Sequence, residues 1–376
     1  MSDFYVDLAV LPGLAEQLRR HGEYALTGRS YVQSRTALHG VEGWLNKLGD
    51  AHEMVVDTTM RWLREVDNPL AVMSAERVDR TVETYRETDK ESAARLDAQL
   101  PANGSLLDIP PQDGEDAFNW GHSWLGAFDD ALDPEDCCRP IPDYSQDERY
   151  AFHPAWSDVS DSGSLTRKLV WEATSVMAGL GWIDQPVDMY RWAYVWIAGD
   201  WAGFRGCTDV FRNLADAVGS MAGNLHRTQV MLPEVWRGNA ADSCNVHIGR
   251  IRQALKDAED PLRTLADRYE EAAEGQAHFR VLITPLLDEL ASAAANLLLA
   301  AVLPAPLIAA INGSRVIRAI EKIISIRDDV GTIMAGVDSA LRDFGQLQAP
   351  DYSLPKLPEV TGGHSTLDDL PSEWRP

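Results

Sequence analysis

The sequence holds few of the residues on which disulfide scaffolds, metal sites and catalysis depend. Neither the number nor the spacing of its cysteines fits a disulfide framework or a CxxC metal site; they are Cys137, Cys138, Cys207 and Cys244. A Gly-rich phosphate loop, an HExxH motif and a G-x-S-x-G motif are all absent from the 376 residues. We therefore predict a protein that is not an enzyme, with no catalytic residue, no cofactor site and no metal site.

One acidic run has the charge to attract a divalent cation, and it contains Asp129, Asp130, Asp133, Glu135 and Asp136. These side chains lack the alternating spacing of a calcium loop. We interpret them as part of a solvated acidic linker.

Basic residues are also scarce. The chain has 34 Lys and Arg against 58 Asp and Glu, a formal net charge of −24 and a pI near 4.7. Such a surface repels nucleic-acid phosphates, so nucleic acid is not expected as a partner. The first 18 residues carry Asp3 and Asp7 and show no basic segment followed by an apolar stretch. No Sec signal peptide is expected, and any export would use another route.

Apolar residues are plentiful, at 45% of the chain with 12 Trp, which predicts a folded protein. The chain is long enough for at least two core-bearing units. Its apolar residues recur three and four positions apart over long stretches, which is typical of amphipathic helices. We predict an all-α fold of tandem antiparallel helical hairpins, similar to a four-helix bundle, with an additional C-terminal helical hairpin.

The first predicted unit covers residues 1–100 and is a helical hairpin. Helix is expected from residue 4 to about 38, again from Trp44 to the break at Asn68-Pro69, and once more from Ala75 to Leu96. Residues 101–164 form a linker rich in Pro, Asp and Gly. We expect its aromatic residues to lie on a helical surface, or alternatively to bind a partner; they are Trp120, Trp124, Phe128, Tyr144, Tyr150, Phe152 and Trp156.

The most regular pattern lies in residues 165–275. Apolar residues alternate three and four apart from Phe204 to Val235 and again from Cys244 to Ala272. Trp236, Arg237 and Gly238 stand between the two runs, where glycine gives a tight turn its backbone freedom and an aromatic ring can cover the helix ends. The pattern predicts one helix going out and one coming back.

Residues 276–345 are predicted to form an apolar helix followed by an amphipathic one. Residues 290–311 contain no charge, which exceeds the length threshold for a membrane-span candidate. Pro304, Pro306 and the many alanines favour a buried helix that breaks at Pro304, with membrane insertion as the alternative. Residues 346–376, rich in Pro, Gly and acidic residues, are expected to be unstructured.

Trp236-Arg237-Gly238, placed between two matched helical runs, resembles the turn of the WxG superfamily of type VII (ESX-like) secretion substrates. The first unit resembles the EspC-like branch of that superfamily, with its Val-Asp-Leu opening at Val6 and its Y-x-x-x-D/E pattern at Tyr85 and Asp89. Residues four apart share a helix face, so this pair is expected to present a ring and a carboxylate to one receptor groove. The alternative is that Tyr85 packs within the hairpin and Asp89 faces solvent. The whole layout resembles the N-terminal region of CpnT-like actinobacterial effectors.

Each half lacks one motif of the superfamily. The first unit has Trp44-Leu45-Asn46 at its turn, without a WxG, and Tyr269 of the second half is followed by Ala273 instead of an acidic residue. The resemblance therefore implies a fused pseudo-heterodimer whose export signal combines Tyr85 and Asp89 with Trp236 and Gly238.

The resemblance also implies partners and a location. The type VII secretion ATPase would be one partner and a small WxG-family protein a further candidate, with the chain cytoplasmic before export and then secreted or in the cell envelope. Two alternatives stay open. One is a membrane-active envelope protein that inserts residues 290–311, and the other is an intracellular helical binding or chaperone module.

Overall fold

The fold is all-α, as the sequence predicts. The computed structural model describes residues 4–39, 43–67, 73–88, 90–98, 126–150, 164–302 and 306–346. Within those ranges long helices account for most of the chain, and the one sheet consists of two short strands. Apolar stripes at helical spacing explain this outcome, because each helix can bury one face against its neighbours.

The first unit contains one strand and four helices in the described residues. They are β1 (Tyr5–Val6), α1 (Pro12–Arg35), α2 (Gly43–Asp67), α3 (Ala75–Glu87) and α4 (Lys90–Asp97). The predicted helix from residue 4 is wrong at its beginning, since residues 5–6 are extended and α1 starts at Pro12. Proline suits the first helical turn, where its missing N–H would have no intrahelical partner. Both α2 and α3 pack against α1.

The rest of the chain forms a bundle around two long antiparallel helices. Its elements are α5 (Leu165–Gly179), α6 (Met189–Ile197), α7 (Trp201–Val235), β2 (Trp236–Arg237), α8 (Asn239–Val302) and α9 (Pro306–Gly345). The predicted outgoing and returning helices are α7 and α8, joined at the Trp236 turn. The side chain of Asp200 caps α7 by accepting a hydrogen bond of 2.8 Å from the backbone N–H of Gly203.

The additional C-terminal hairpin begins differently from the prediction. Helix α8 continues through Gly275 to Val302, because buried residues such as Phe279, Ile283 and Leu290 keep the same cadence. The second half of α8 therefore forms this hairpin with α9. Residues 290–311 are divided between the end of α8 and the start of α9.

One hydrophobic core joins the first unit to the α7–α8 hairpin. The side chain of Leu214 on α7 lies against Gly28 on α1, and a Cβ added at Gly28 would be 3.3 Å from it. Farther along, α9 packs against α2. Two helices alone leave much of their apolar surface exposed, so the packing of each hairpin depends on the other.

The described part of the linker, residues 126–150, lies on this helical surface. Phe128 is buried against Gly13 of α1. The hydroxyl of Tyr144 donates a 2.6 Å hydrogen bond to Asp209, and that of Tyr150 donates a 2.5 Å hydrogen bond to Glu274. The other linker aromatics, Trp120, Trp124, Phe152 and Trp156, lie outside the described residues.

The acidic run is not uniformly solvated, which corrects the interpretation of Asp130. Its side chain is 9% exposed and accepts hydrogen bonds from Gln17, Arg20 and Tyr24 of α1 at 2.9, 2.8 and 3.1 Å. The backbone of the same segment is held by Asn224 of α7. Asp130 therefore fastens the linker to the core.

Candidate functional site

Two of the four residues implied in the export signal meet in the core. Tyr85 on α3 and Trp236 in β2 have ring centroids 6.2 Å apart with the rings edge to face at 76°. Their exposed fractions are 4% and 2%. Edge-to-face aromatic pairs of this kind contribute about 0.5–1.5 kcal/mol beyond the area they bury. The contact joins the first unit to the turn of the α7–α8 hairpin.

A strand at the start of the chain covers this pair. Val6 pairs antiparallel with Trp236, and the backbone N–H of Asp7 donates a 2.8 Å hydrogen bond to the Val235 carbonyl. The ring of Phe4 lies 5.6 Å from that of Tyr85, again edge to face. Sequence reasoning missed this strand because a pair of residues is too short to show strand periodicity, although Phe4-Tyr5-Val6 has a strand-favouring composition.

Gly238 is required at the turn for two reasons. Its φ of +133° lies in a region that only glycine adopts readily. A Cβ at this position would also lie 2.5 Å from Oδ2 of Asp97, the last residue of α4. The turn glycine thus lets the first unit approach the beginning of α8 closely.

Asp97 caps α8 from the other half of the chain. Its carboxylate accepts 2.9 Å hydrogen bonds from the backbone N–H groups of Asn239 and Ala240, and its side chain is buried. These N–H groups have no intrahelical partner, and the positive end of the helix dipole favours a carboxylate there. The sequence carried no signal for this role, because 142 residues separate Asp97 from Asn239.

The aromatic pair leaves two polar groups without partners. Within the described residues, the hydroxyl of Tyr85 and the indole N–H of Trp236 form no hydrogen bond. The nearby Trp236 indole acts to lower the Tyr85 pKa, although the indole N–H and the Tyr85 hydroxyl do not reach hydrogen-bond geometry. Burial raises the Tyr85 pKa well above its usual value, and the Asp97 carboxylate raises it further. An unsatisfied buried donor costs roughly 1–3 kcal/mol.

The Y-x-x-x-D/E pattern is described only at its tyrosine. Asp89 lies outside the described residues. Tyr85 is buried, whereas presentation of its ring to a receptor groove would need it at the surface.

The described ranges contain no group of three or more His, Cys, Asp or Glu side chains placed to hold a metal ion.

Two buried histidines lie at contacts between the first unit and α8. Nε2 of His247 lies 2.9 Å from the Ser74 hydroxyl, and burial lowers the pKa of His247 to about 4. On α2, Nδ1 of His52 lies 2.7 Å from the Tyr269 hydroxyl, and burial lowers its pKa as well. Both histidines are therefore neutral at pH 7.

Comparisons with known proteins return no match, whether with family models, with curated proteins or with solved structures.

Proposed function

We propose that this protein is a non-enzymatic type VII (ESX-like) secretion substrate or effector delivery module whose export signal is shared between two fused halves. The first half supplies Tyr85 and Asp89, and the second supplies Trp236 and Gly238. The observation that carries the proposal is the contact between the Tyr85 and Trp236 rings across the two halves. This contact supports the proposal because a signal shared between two halves needs its parts to lie close together.

The turn gives the proposal further support. Gly238 and Trp236 lie between two antiparallel helices, as the WxG resemblance requires, and the first unit caps the second helix through Asp97. In a pair of separate proteins, such contacts would form the interface between partners. Here one chain provides both sides of that interface.

The proposed partner is the type VII secretion ATPase, with a small WxG-family protein as a further candidate. The chain would be cytoplasmic before export and then secreted or in the cell envelope. Its net charge of −24 gives no support to binding of nucleic acid.

The test is export of the tagged full-length chain from cells with and without a functional type VII ATPase. We expect export only when the ATPase is active, and loss of most export in Trp236→Ala. Trp44→Ala is the matched control, since Trp44 is also a buried tryptophan at a hairpin turn, where it packs on Trp196 and Phe279. Equal loss in both variants would point to instability and contradict the signal role of Trp236.

A second candidate function is a membrane-active envelope protein. One window of 18 residues in α8 has a mean hydropathy of 1.4, and only 39% of it is buried. Leu299 and Ile311, on either side of the α8–α9 connection, are 65% and 50% exposed. The core helix of a water-soluble bundle can pass the same hydropathy test, so flotation with phosphatidylcholine vesicles decides. Binding that Leu299→Glu abolishes would favour this candidate.

A third candidate is an intracellular helical binding or chaperone module. The mutual packing of the helices fits it as well as it fits a secreted bundle. Retention of the wild-type chain in the cytoplasm whether or not the ATPase is active would favour this candidate.

A further inference from the structure

The Tyr85 and Trp236 side chains cannot contact a receptor in the folded arrangement. Their exposed fractions of 4% and 2% leave almost no surface for a partner. Aromatic anchors at protein interfaces act by entering a pocket on the partner, which requires the ring to be accessible. Recognition of this pair therefore requires a local rearrangement that uncovers it.

Two parts of the first unit hold the pair in place, and we call them together the clamp. One is the segment Phe4–Asp7, whose strand pairs with β2 and whose Phe4 ring packs on Tyr85. The other is Asp97, which binds the beginning of α8 directly after the turn.

The clamp has the features of an element that opens locally. Its strand is only two residues long, so few backbone hydrogen bonds must break for it to leave. Among the described residues, the Tyr85 hydroxyl and the Trp236 indole N–H also have no hydrogen-bond partner in the closed arrangement, and opening lets water satisfy both groups. The rest of the core need not change, because the Tyr85–Trp236 contact lies at one end of the α7–α8 hairpin.

We propose that the clamp regulates the export signal, in that the Tyr85–Trp236 pair is read only after Phe4–Asp7 and Asp97 release it. This inference rests on the proposed function and adds to it a closed, unread state of the same residues. A receptor that binds only the open state shifts the population towards that state. Weakening the clamp should therefore increase recognition.

A native cysteine reports clamp opening independently of export. Cys244 on α8 is 1% exposed, and its position near the Tyr85 hydroxyl raises the Tyr85 pKa. Burial raises the pKa of the Cys244 thiol to about 12, so it reacts slowly with iodoacetamide in the closed state. Cys207 on α7 is also fully buried, but its neighbours are Asp200 and Tyr269, away from the clamp. Its alkylation reports unfolding of the core.

The variants are chosen in matched pairs. Phe4→Ala removes the ring that packs on Tyr85, and Leu26→Ala is its control, because the Leu26 side chain is 44% exposed on α1, outside the clamp. Asp97→Asn removes the charge that caps α8, and Asp57→Asn is its control, at an exposed aspartate of α2.

The experiment measures Cys244 and Cys207 alkylation by mass spectrometry and, in parallel, ATPase-dependent export of the same full-length variants. We expect Phe4→Ala and Asp97→Asn to raise the ratio of Cys244 to Cys207 alkylation by roughly fivefold to thirtyfold and to raise export. The control variants should change neither quantity.

Two results would overturn the clamp. In the first, Cys244 alkylation rises in neither Phe4→Ala nor Asp97→Asn. That result would show that Phe4 and Asp97 do not keep the Tyr85–Trp236 pair covered. In the second, alkylation rises while export stays level or falls, and wild-type export still requires the ATPase. That outcome leaves the proposed function in place. Absence of export from the wild type itself would remove both proposals, and this failure is recognised before any variant is compared.

Discussion

Two hairpin turns, one before α2 and one before α8, each place a glycine against a neighbour of a different kind. Gly43 begins α2 with φ +61°, and a Cβ there would lie 1.7 Å from the Val195 carbonyl oxygen of α6. Gly238 has φ +133°, and its Cβ would meet the Asp97 side chain of α4. Each turn is therefore covered by an element from the other half of the chain. The halves therefore contact each other at both turns, through the Val195 backbone at Gly43 and through the Asp97 side chain at Gly238.

The largest expected effect is the loss of stability when either turn glycine is replaced by alanine. Gly43→Ala and Gly238→Ala should each lower the free energy of unfolding by roughly 3 kcal/mol, from backbone strain and steric overlap. Gly238→Ala combined with Asp97→Ala should lose less than the sum of the two single variants, because Asp97→Ala removes the clashing atoms as well as the cap of α8. Urea unfolding of the single and double variants measures this. The comparison fails if Asp97→Ala also reduces the loss of stability in Gly43→Ala. It fails equally if the losses from Gly238→Ala and Asp97→Ala simply add.

A smaller effect concerns the buried histidines that join the halves. The pKa of His247 is lowered to about 4 in the folded protein from 6.5 when it is free, so the unfolded chain binds a proton first as the pH falls. The stability is fully present above pH 6.5 and is lost progressively down to pH 4. At pH 5 the loss from this one group is about 2 kcal/mol.

Histidine variants test this pH dependence through thermal unfolding at pH 7 and pH 5. His247→Gln should show a smaller loss between the two pH values than the wild type. His278→Gln, at an exposed position of the same helix, should keep the wild-type difference. The His247→Gln variant still loses some stability between pH 7 and pH 5, because burial also lowers the pKa values of His21, His52 and His226. An unchanged difference in His247→Gln would exclude its neutral buried state.

The smallest effect has the opposite sign. Tyr85→Phe should raise the free energy of unfolding by about 1 kcal/mol, because it removes a buried hydroxyl that forms no hydrogen bond with any described residue. Tyr31→Phe should lower it by about 1–2 kcal/mol, since that hydroxyl donates to the Arg139 carbonyl and accepts from Asn213. Chemical denaturation compares the two. Destabilisation by Tyr85→Phe equal to that by Tyr31→Phe would show that Tyr85 has a partner after all.

The helices could be predicted because their signal is local and repeated. Val55 and Trp62 in α2, and the run from Phe204 to Val235 in α7, recur at helical spacing, so their bounds followed from periodicity and from the breaks at Pro69 and Gly238. Trp236 and Gly238 were recognisable for the same reason, as a break between two periodic runs.

The contacts that assemble the site could not be predicted. The pairing of Val6 with Trp236 and the capping of α8 by Asp97 join positions far apart in the chain. An aspartate at the end of a short helix looks like any surface aspartate until tertiary packing brings a helix N-terminus to it. The helical spacing of Tyr85 with Val78 and Val82 did indicate a packed face, but it could not show that Trp236 and Phe4 cover that face.

The most direct test of the central claim is a double-mutant cycle on export, with Tyr85→Ala, Trp236→Ala and the double variant in cells with an active type VII ATPase. Export is normalised to the folded cytoplasmic protein. If the two residues form one signal, each single variant loses most export and the double variant loses no more than the worse single. Losses that multiply in the double variant, or export that persists in both singles, would contradict a composite signal.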